Sequence, residues 1–121
     1  MRVYVAAPNE LLELARTVAG DLERAGIQVT SRWLNGLDTR CDASASVDLE
    51  DVSSADILLL INPIGWELRG SGGRHVEFGY ALALRKKVLV VGVRSHIFHH
   101  LNHVRVVPWG SDVAKECLCL L

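Results

Sequence analysis

The chain is 121 residues long, half of it hydrophobic and 22% charged, with a formal net charge of -1 that leaves five histidines uncounted. This describes one domain, residues 1–121, able to bury a core, and excludes a disordered segment, a collagen-like repeat and a coiled coil. The near-neutral balance argues against general nucleic-acid binding, and the longest aliphatic run, residues 57–61, is far short of the roughly 20 needed to span a bilayer. No basic leader with an apolar stretch and a small-residue cleavage site is read at the start. Cys41, Cys117 and Cys119 cannot close a disulfide set, and Cys117-Leu118-Cys119 has no second pair to complete a zinc site. Reduced thiols of a cytoplasmic protein are therefore expected.

Residues 2–7 (RVYVAA) are β-branched, aromatic and small, and Pro8-Asn9 stops them, which predicts a first strand. Asn9 is suited to cap the helix that follows, with Glu10 and Glu13 at its positive end. Leu11, Leu12, Leu14, Ala15, Val18, Ala19 and Leu22 recur at helical spacing, and Gly26 supplies the stop after Arg24. Residues 27–33 (IQVTSRW) alternate like a second strand, and 35–46 is polar enough to read as a loop. Ser46 or Asp48 can cap a short helix through Ser54. Residues 56–62 (DILLLIN) are apolar on both faces, as in a central parallel strand covered by helices on both sides.

A loop with Gly65, Gly70, Gly72 and Gly73 follows, then a helix over 74–85, a second fully apolar strand over 88–93, and a short helical turn and loop over 96–103. A last short strand over 104–107 and a helix over 112–120 close the chain. Strands alternating with helices predict an open parallel five-stranded α/β sheet, flavodoxin-like or Rossmann-like in order 2-1-3-4-5, with right-handed crossovers and helices on both faces. In such sheets ligands sit beyond the carboxyl ends of the strands, here near Asn9, the 62–73 loop and the segment 92–96.

Gly70-Ser71-Gly72-Gly73 runs straight into a helix. Free N–H groups at a helix start favour an anion and glycine lets it approach, so the segment reads either as a phosphate cradle or as a flexible connection. It has neither the lysine-serine pair of a P-loop nor a complete dinucleotide-binding glycine turn. Glu77 lies about one turn in, among Val76, Phe78, Gly79 and Tyr80. From spacing alone it is either a carboxylate facing a ligand or an acid complementing the helix dipole. Arg94 and Ser95, at the end of the fourth strand, are candidates to reach a phosphate. His96, His99, His100 and His103 follow helical spacing, but no carboxylate or cysteine joins them, so plain surface or a loop over the site is favoured over a metal. The basic turn Arg85-Lys86-Lys87 is explained by the helix C-terminus rather than by nucleic acid.

The run from Gly72-Gly73-Arg74-His75-Val76-Glu77-Phe78-Gly79-Tyr80 to Ala81-Leu82-Ala83-Leu84, followed by the strand at Val88, resembles the core motif of the nucleoside 2-deoxyribosyltransferase family, which includes deoxynucleoside 5′-monophosphate N-glycosidases. Val3-Tyr4-Val5 is similar to that family's first strand, and the acidic run from Asp48 to Asp56 is similar to the segment before its central strand. In order and spacing the resemblance covers roughly residues 2 to 107. It implies Glu77 as nucleophile on the anomeric carbon, Asp48 as second carboxylate, Tyr4 orienting Glu77, and Ser71 with Gly70, Gly72 and Gly73 as the phosphate loop. Asn9 is a further candidate ligand, although Pro8-Asn9 departs from the family's glycine- and serine-containing turn. Trp33 and Trp66 match no motif position.

The chemistry agrees with these roles. Cleaving a C–N glycosidic bond passes through an oxocarbenium-like state that a carboxylate can stabilise or trap covalently. The base leaves more readily when an acid protonates it. No metal or organic cofactor is required. The expected partners are a small nucleoside or nucleotide and, by resemblance, a second copy of the chain; neither nucleic acid nor membrane is expected. Hydrolysis of a 5′-monophosphate is favoured on Ser71 and the glycines. Its rivals are base exchange between deoxynucleosides and a non-catalytic nucleotide-binding or sensor domain. A phosphoribohydrolase of the lysine-decarboxylase-like type is a weaker rival, because its Gly-Gly-x-Gly-Thr-x-x-Glu pattern is not met.

Overall fold

The computed structural model describes residues 1–36, 42–66 and 69–120. Its strands are β1 (Arg2–Ala6), β2 (Gln28–Val29), β3 (Ile57–Asn62), β4 (Lys87–Gly92) and β5 (Val104–Val107). Its helices are α1 (Leu12–Arg24), α2 (Asp42–Ser54), α3 (Gly73–Ala83) and α4 (Val113–Cys119). The sheet has the order β2-β1-β3-β4-β5 and every pair is parallel, as the alternation of elements predicts. Helices α1 and α4 pack together on one face, and α2 and α3 on the other. Every residue of β3 is buried, which is what an apolar run without alternation requires.

The second strand is shorter than the alternation predicts, and the cause lies in side chains. Thr30 N–H still bonds to Val3 carbonyl at 2.9 Å. Beyond that point the β1 backbone turns to side chains of the neighbouring segment. Val5 N–H donates to Ser31 Oγ at 2.6 Å, and Val5 carbonyl accepts from Trp33 Nε1 at 2.8 Å. With those groups satisfied, the chain curls into a 3-10 helix (Arg32–Asn35) that buries Trp33 and Leu34.

Three further boundaries differ from expectation. The first helix is entered through a 3-10 turn (Asn9–Leu11), and α1 begins after Leu11 with no side-chain cap, so Asn9 is not its cap. The second helix starts at Asp42, so Asp48 lies in mid-helix rather than at a cap. The third helix, expected over 74–85, is Gly73–Ala83: Arg85 takes the left-handed conformation (φ 58°) while Lys86 N–H closes on Ala81 carbonyl at 2.9 Å. The last helix, expected over 112–120, is α4 at Val113–Cys119, and Asp112 caps it, accepting from Lys115 N–H at 3.1 Å. At Gly92 (φ 127°) a Cβ would fall 2.0 Å from Asn62 carbonyl oxygen, so only glycine lets β4 run this close to the end of β3. Cys117 is buried and Cys119 exposed; Cys41 lies outside the described residues. Among the described residues no helix is long and apolar enough to cross a membrane.

Candidate active site

In this strand order the chain winds one way from β1 to β2 and the other way from β3 onward, so β1 and β3 flank the switch point, where the carboxyl ends of such sheets open a crevice. A cavity of about 80 Å³ occupies that crevice. Its wall comes from the end of β1 (Ala7, Pro8, Asn9), the turn after β2 (Trp33), α2 (Asp48), the glycine loop (Ser71) and the first turns of α3 (Gly73, Arg74, Glu77).

Tyr4 and Glu77 are 73 residues apart in sequence and meet at the floor, where Tyr4 Oη donates to Glu77 Oε2 at 2.7 Å. Tyr4 is fully buried in mid-strand, so its hydroxyl has a fixed direction. Burial, then the Glu77 charge, push its acidity far from neutrality and keep it a donor. Burial also drives the Glu77 carboxyl up to about 7; the Tyr4 hydrogen bond opposes that rise and the negative charge of Asp48 adds to it. The Asp48 carboxyl is raised to about 6, by burial first and by Asp51 second, with Arg32 opposing. Asp48 Oδ1 is buried without a hydrogen-bond partner. The cavity thus has two carboxyls that interact and titrate near neutrality.

Asp48 owes its position to a clamp one turn further along α2. Buried Asp51 accepts from Arg32 N–H at 2.9 Å and from Arg32 Nε at 2.9 Å, and its carbonyl accepts from Thr30 Oγ1 at 2.9 Å. This ties α2 to the turn after β2 and turns Asp48 towards the cavity. The helix itself thus delivers the Asp48 carboxylate to the cavity wall.

On the opposite wall, Ser71 and Gly73 face the cavity where the glycine loop enters α3. Gly70 and Gly72 take left-handed backbone (φ 83° and 84°), and no side chain caps the helix. Asn9 also lines the cavity. Arg94 and Ser95 do not. Arg94 is exposed, and Ser95 joins a separate group in which Asn62 Nδ2 donates to its Oγ at 3.2 Å and its N–H donates to His99 Nδ1 at 3.0 Å. Sequence reasoning missed Trp33 and Arg74 as wall residues. Trp33 ends a segment on the carboxyl side of the sheet, and Arg74 stands one helical turn before Glu77, so position was the available signal. Of the histidines, His96 and His99 gather with His75 around Phe78 on the other side of α3. Among the described residues no group of three His, Cys, Asp or Glu side chains is arranged to hold a metal ion.

No protein-family model and no curated protein sequence matches the chain. Solved structures do. The CMP N-glycosidase BcmB of Clostridium botulinum superposes with a TM-score of 0.65 over 100% of both chains at 18% identity. A 2-deoxyribosyltransferase of Bacillus psychrosaccharolyticus superposes with a TM-score of 0.63 over 96% of this chain and 90% of its own at 21% identity. Over its whole length this chain thus has the parallel α/β fold that a nucleotide N-glycosidase and a nucleoside deoxyribosyltransferase share, the fold that the resemblance implies.

Proposed function

We propose that the protein is an enzyme that cleaves the N-glycosidic bond of a nucleoside 5′-monophosphate or nucleoside, with Glu77 as nucleophile. The observation that carries this reading is the buried Tyr4–Glu77 hydrogen bond at 2.7 Å in a cavity that also holds Asp48. Ionised Glu77 attacks the anomeric carbon as the bond to the base breaks, and Asp48 gives its proton to the departing base. A water then attacks the same carbon, loses its proton to Asp48 and frees Glu77. Ser71 and the glycine loop hold the 5′-phosphate, and Asn9 contacts the sugar or phosphate.

Burial holds both carboxyls above the ordinary carboxylate range, Asp48 up to about 6 and Glu77 up to about 7, so near neutrality the pair can carry the single proton that this mechanism needs. Positive charge developing on the sugar beside Glu77 favours the ionised form of that carboxyl in the transition state, and there the preorganised Tyr4 donor and Glu77 carboxylate act most strongly.

The test is chromatography of nucleosides and 5′-monophosphates incubated with the protein. Free base should appear, and none should appear with Glu77→Ala. A panel in which a nucleotide binds and no base is released supports a non-catalytic binding domain instead. Base exchange is the second reading, favoured by the likeness to the deoxyribosyltransferase. A second free base added to the incubation separates the two: transfer yields a new nucleoside, hydrolysis only free sugar.

A further inference from the structure

We infer that Arg74 makes this cavity selective for a phosphorylated ligand, recognising the phosphate ester of a nucleoside 5′-monophosphate and discriminating against the free nucleoside. The inference rests on the reading above and adds to it a specificity-determining residue, Arg74, that neither the motif nor the glycine loop supplies.

The residue is unusual in its setting. An arginine is seldom buried without partners for its five N–H groups. Arg74 is only 3% exposed. Its Nη2 donates to Trp66 carbonyl at 2.8 Å, yet its Nε is buried with no partner. A Cβ at Gly70 would lie 3.0 Å from Arg74 Nη1 and 3.4 Å from Glu10 Oε2, so the missing side chain at Gly70 is what lets the guanidinium and the Glu10 carboxylate close on the loop.

Charge gives the second argument. The cavity wall carries two carboxyls, Asp48 and Glu77, and among its described residues Arg74 is the one cation. It does not serve as counter-ion to either: Tyr4 and Asp48 act on Glu77, and Asp51 and Arg32 act on Asp48. The guanidinium therefore belongs to another part of the cavity. On that part stand Ser71 and Gly73, at the uncapped start of an 11-residue helix whose positive end faces the same way.

Glu10 compensates part of the Arg74 charge from outside the cavity wall, but a neutral nucleoside would still leave the Nε unpaired. A phosphate ester offers acceptor oxygens for the guanidinium fork, the serine and the helix N–H groups together. Discrimination follows because the penalty falls on the ligand that lacks the acceptor. The competing account is that Arg74 only holds the 63–72 loop through the Trp66 carbonyl. That account predicts equal damage to phosphorylated and unphosphorylated ligands when Arg74 is changed.

The experiment measures calorimetric binding of 2-deoxyribose 5-phosphate and of 2-deoxyribose to the intact protein, Arg74→Gln and Arg74→Lys, alongside base release from a monophosphate and its nucleoside. The intact protein should prefer the phosphorylated sugar by at least about a hundredfold. Arg74→Gln should cut that preference by about 10- to 100-fold, the scale of a charge-assisted hydrogen bond, and Arg74→Lys should cut it less because it keeps the charge without the fork. A preference unchanged in Arg74→Gln overturns the inference. So does an intact protein that binds both sugars alike, a measurement that stands even if Arg74→Gln fails to fold. An Arg74-dependent preference in a protein that releases no base supports the anion site and overturns the proposed chemistry instead, so the two failures are distinct.

Discussion

Helix α3 carries titratable groups into two buried regions, and they behave as opposites. On the cavity side, Glu77 faces Tyr4 and shares its space with Asp48 on α2. On the far side, His75 and Phe78 meet His96 and His99, with ring centroids 5.0 Å apart for Phe78 and His99 and 3.8 Å for the two histidines. Burial pushes each group towards its neutral form: Glu77 up to about 7 and Asp48 up to about 6, but His99 down to about 4. Desolvation alone therefore does not mark the functional region. The carboxyls border an open crevice and two are forced to interact, whereas His99 is fully buried, held by Ser95 N–H at 3.0 Å and closed over by an aromatic ring.

The two regions also carry opposite linkage to pH. The carboxyls hold their protons more tightly folded than unfolded, so their contribution to stability is complete below about pH 4 and is lost as pH rises through about 6 to 7. His99 holds its proton less tightly when folded, so its contribution is complete above its ordinary value of 6.5 and is lost as pH falls towards about 4.

The largest expected effect tests the cavity side. Glu77→Gln should reduce base release by at least about a hundredfold, the scale of a lost catalytic group. It should also raise the melting temperature at about pH 8 by a few degrees, because the buried charge is gone. Near-normal turnover in this variant would break the comparison, since the carboxyl cluster would then be as structural as the histidines.

Asp48→Asn comes next. It should slow an ordinary nucleotide by about ten- to a hundredfold, spare a substrate with an activated leaving group, and abolish the alkaline limb of the rate profile. Removing its negative charge also lets Glu77 ionise at lower pH, so the acidic limb should move down. Equal slowing of both substrates with the alkaline limb intact would leave Asp48 as a sugar ligand rather than an acid.

Tyr4→Phe sharpens the contrast in the other direction. The lost hydrogen bond was holding the Glu77 carboxyl down, so the acidic limb should shift to higher pH. Activity at neutral pH should drop by about tenfold and recover in part as pH rises. A uniform loss at every pH would point to altered packing.

Ser71→Ala should weaken use of the monophosphate by about 1–2 kcal/mol with little change on the nucleoside. Equal losses on both substrates would show that Ser71 supports the loop. The smallest effect on activity is expected from His99→Leu, under about twofold. That variant should lose a few degrees of melting temperature at neutral pH, for the unpaired Ser95 N–H, and show a shallower decline between about pH 6.5 and 4. A large loss of turnover would make the histidine cluster part of the site.

Much of the fold was legible in the sequence because it rests on local patterns. The apolar runs at 56–62 and 88–93 and the helical spacing from Leu12 to Leu22 give element types without knowledge of partners, and the alternation of strands and helices gives the parallel sheet. The motif around Glu77 placed one carboxylate at a helix start facing the ligand end. The second strand was misjudged in length because Ser31 and Trp33 side chains take over the β1 hydrogen bonds that strand pairing would have used. Asp48 was placed at a helix cap because nothing local reveals that α2 starts earlier, at Asp42, or that Asp51 is clamped to Arg32.

By itself, then, the sequence determines the order of elements, the buried strands and the residue types that carry charge at the carboxyl ends. Periodicity and turn chemistry are properties of near neighbours, and they survive without any tertiary information. The tertiary structure alone decides which of those residues meet. Tyr4 and Glu77 come together across 73 residues because β1 and α3 border the same crevice. Arg94 and Ser95, equally plausible by position, stay out of its wall, and Ser95 joins Asn62 and His99 instead. Carboxyls titrating near neutrality are likewise written nowhere in the chain, because a pKa depends on the water excluded and the charges brought near, and both are set by packing.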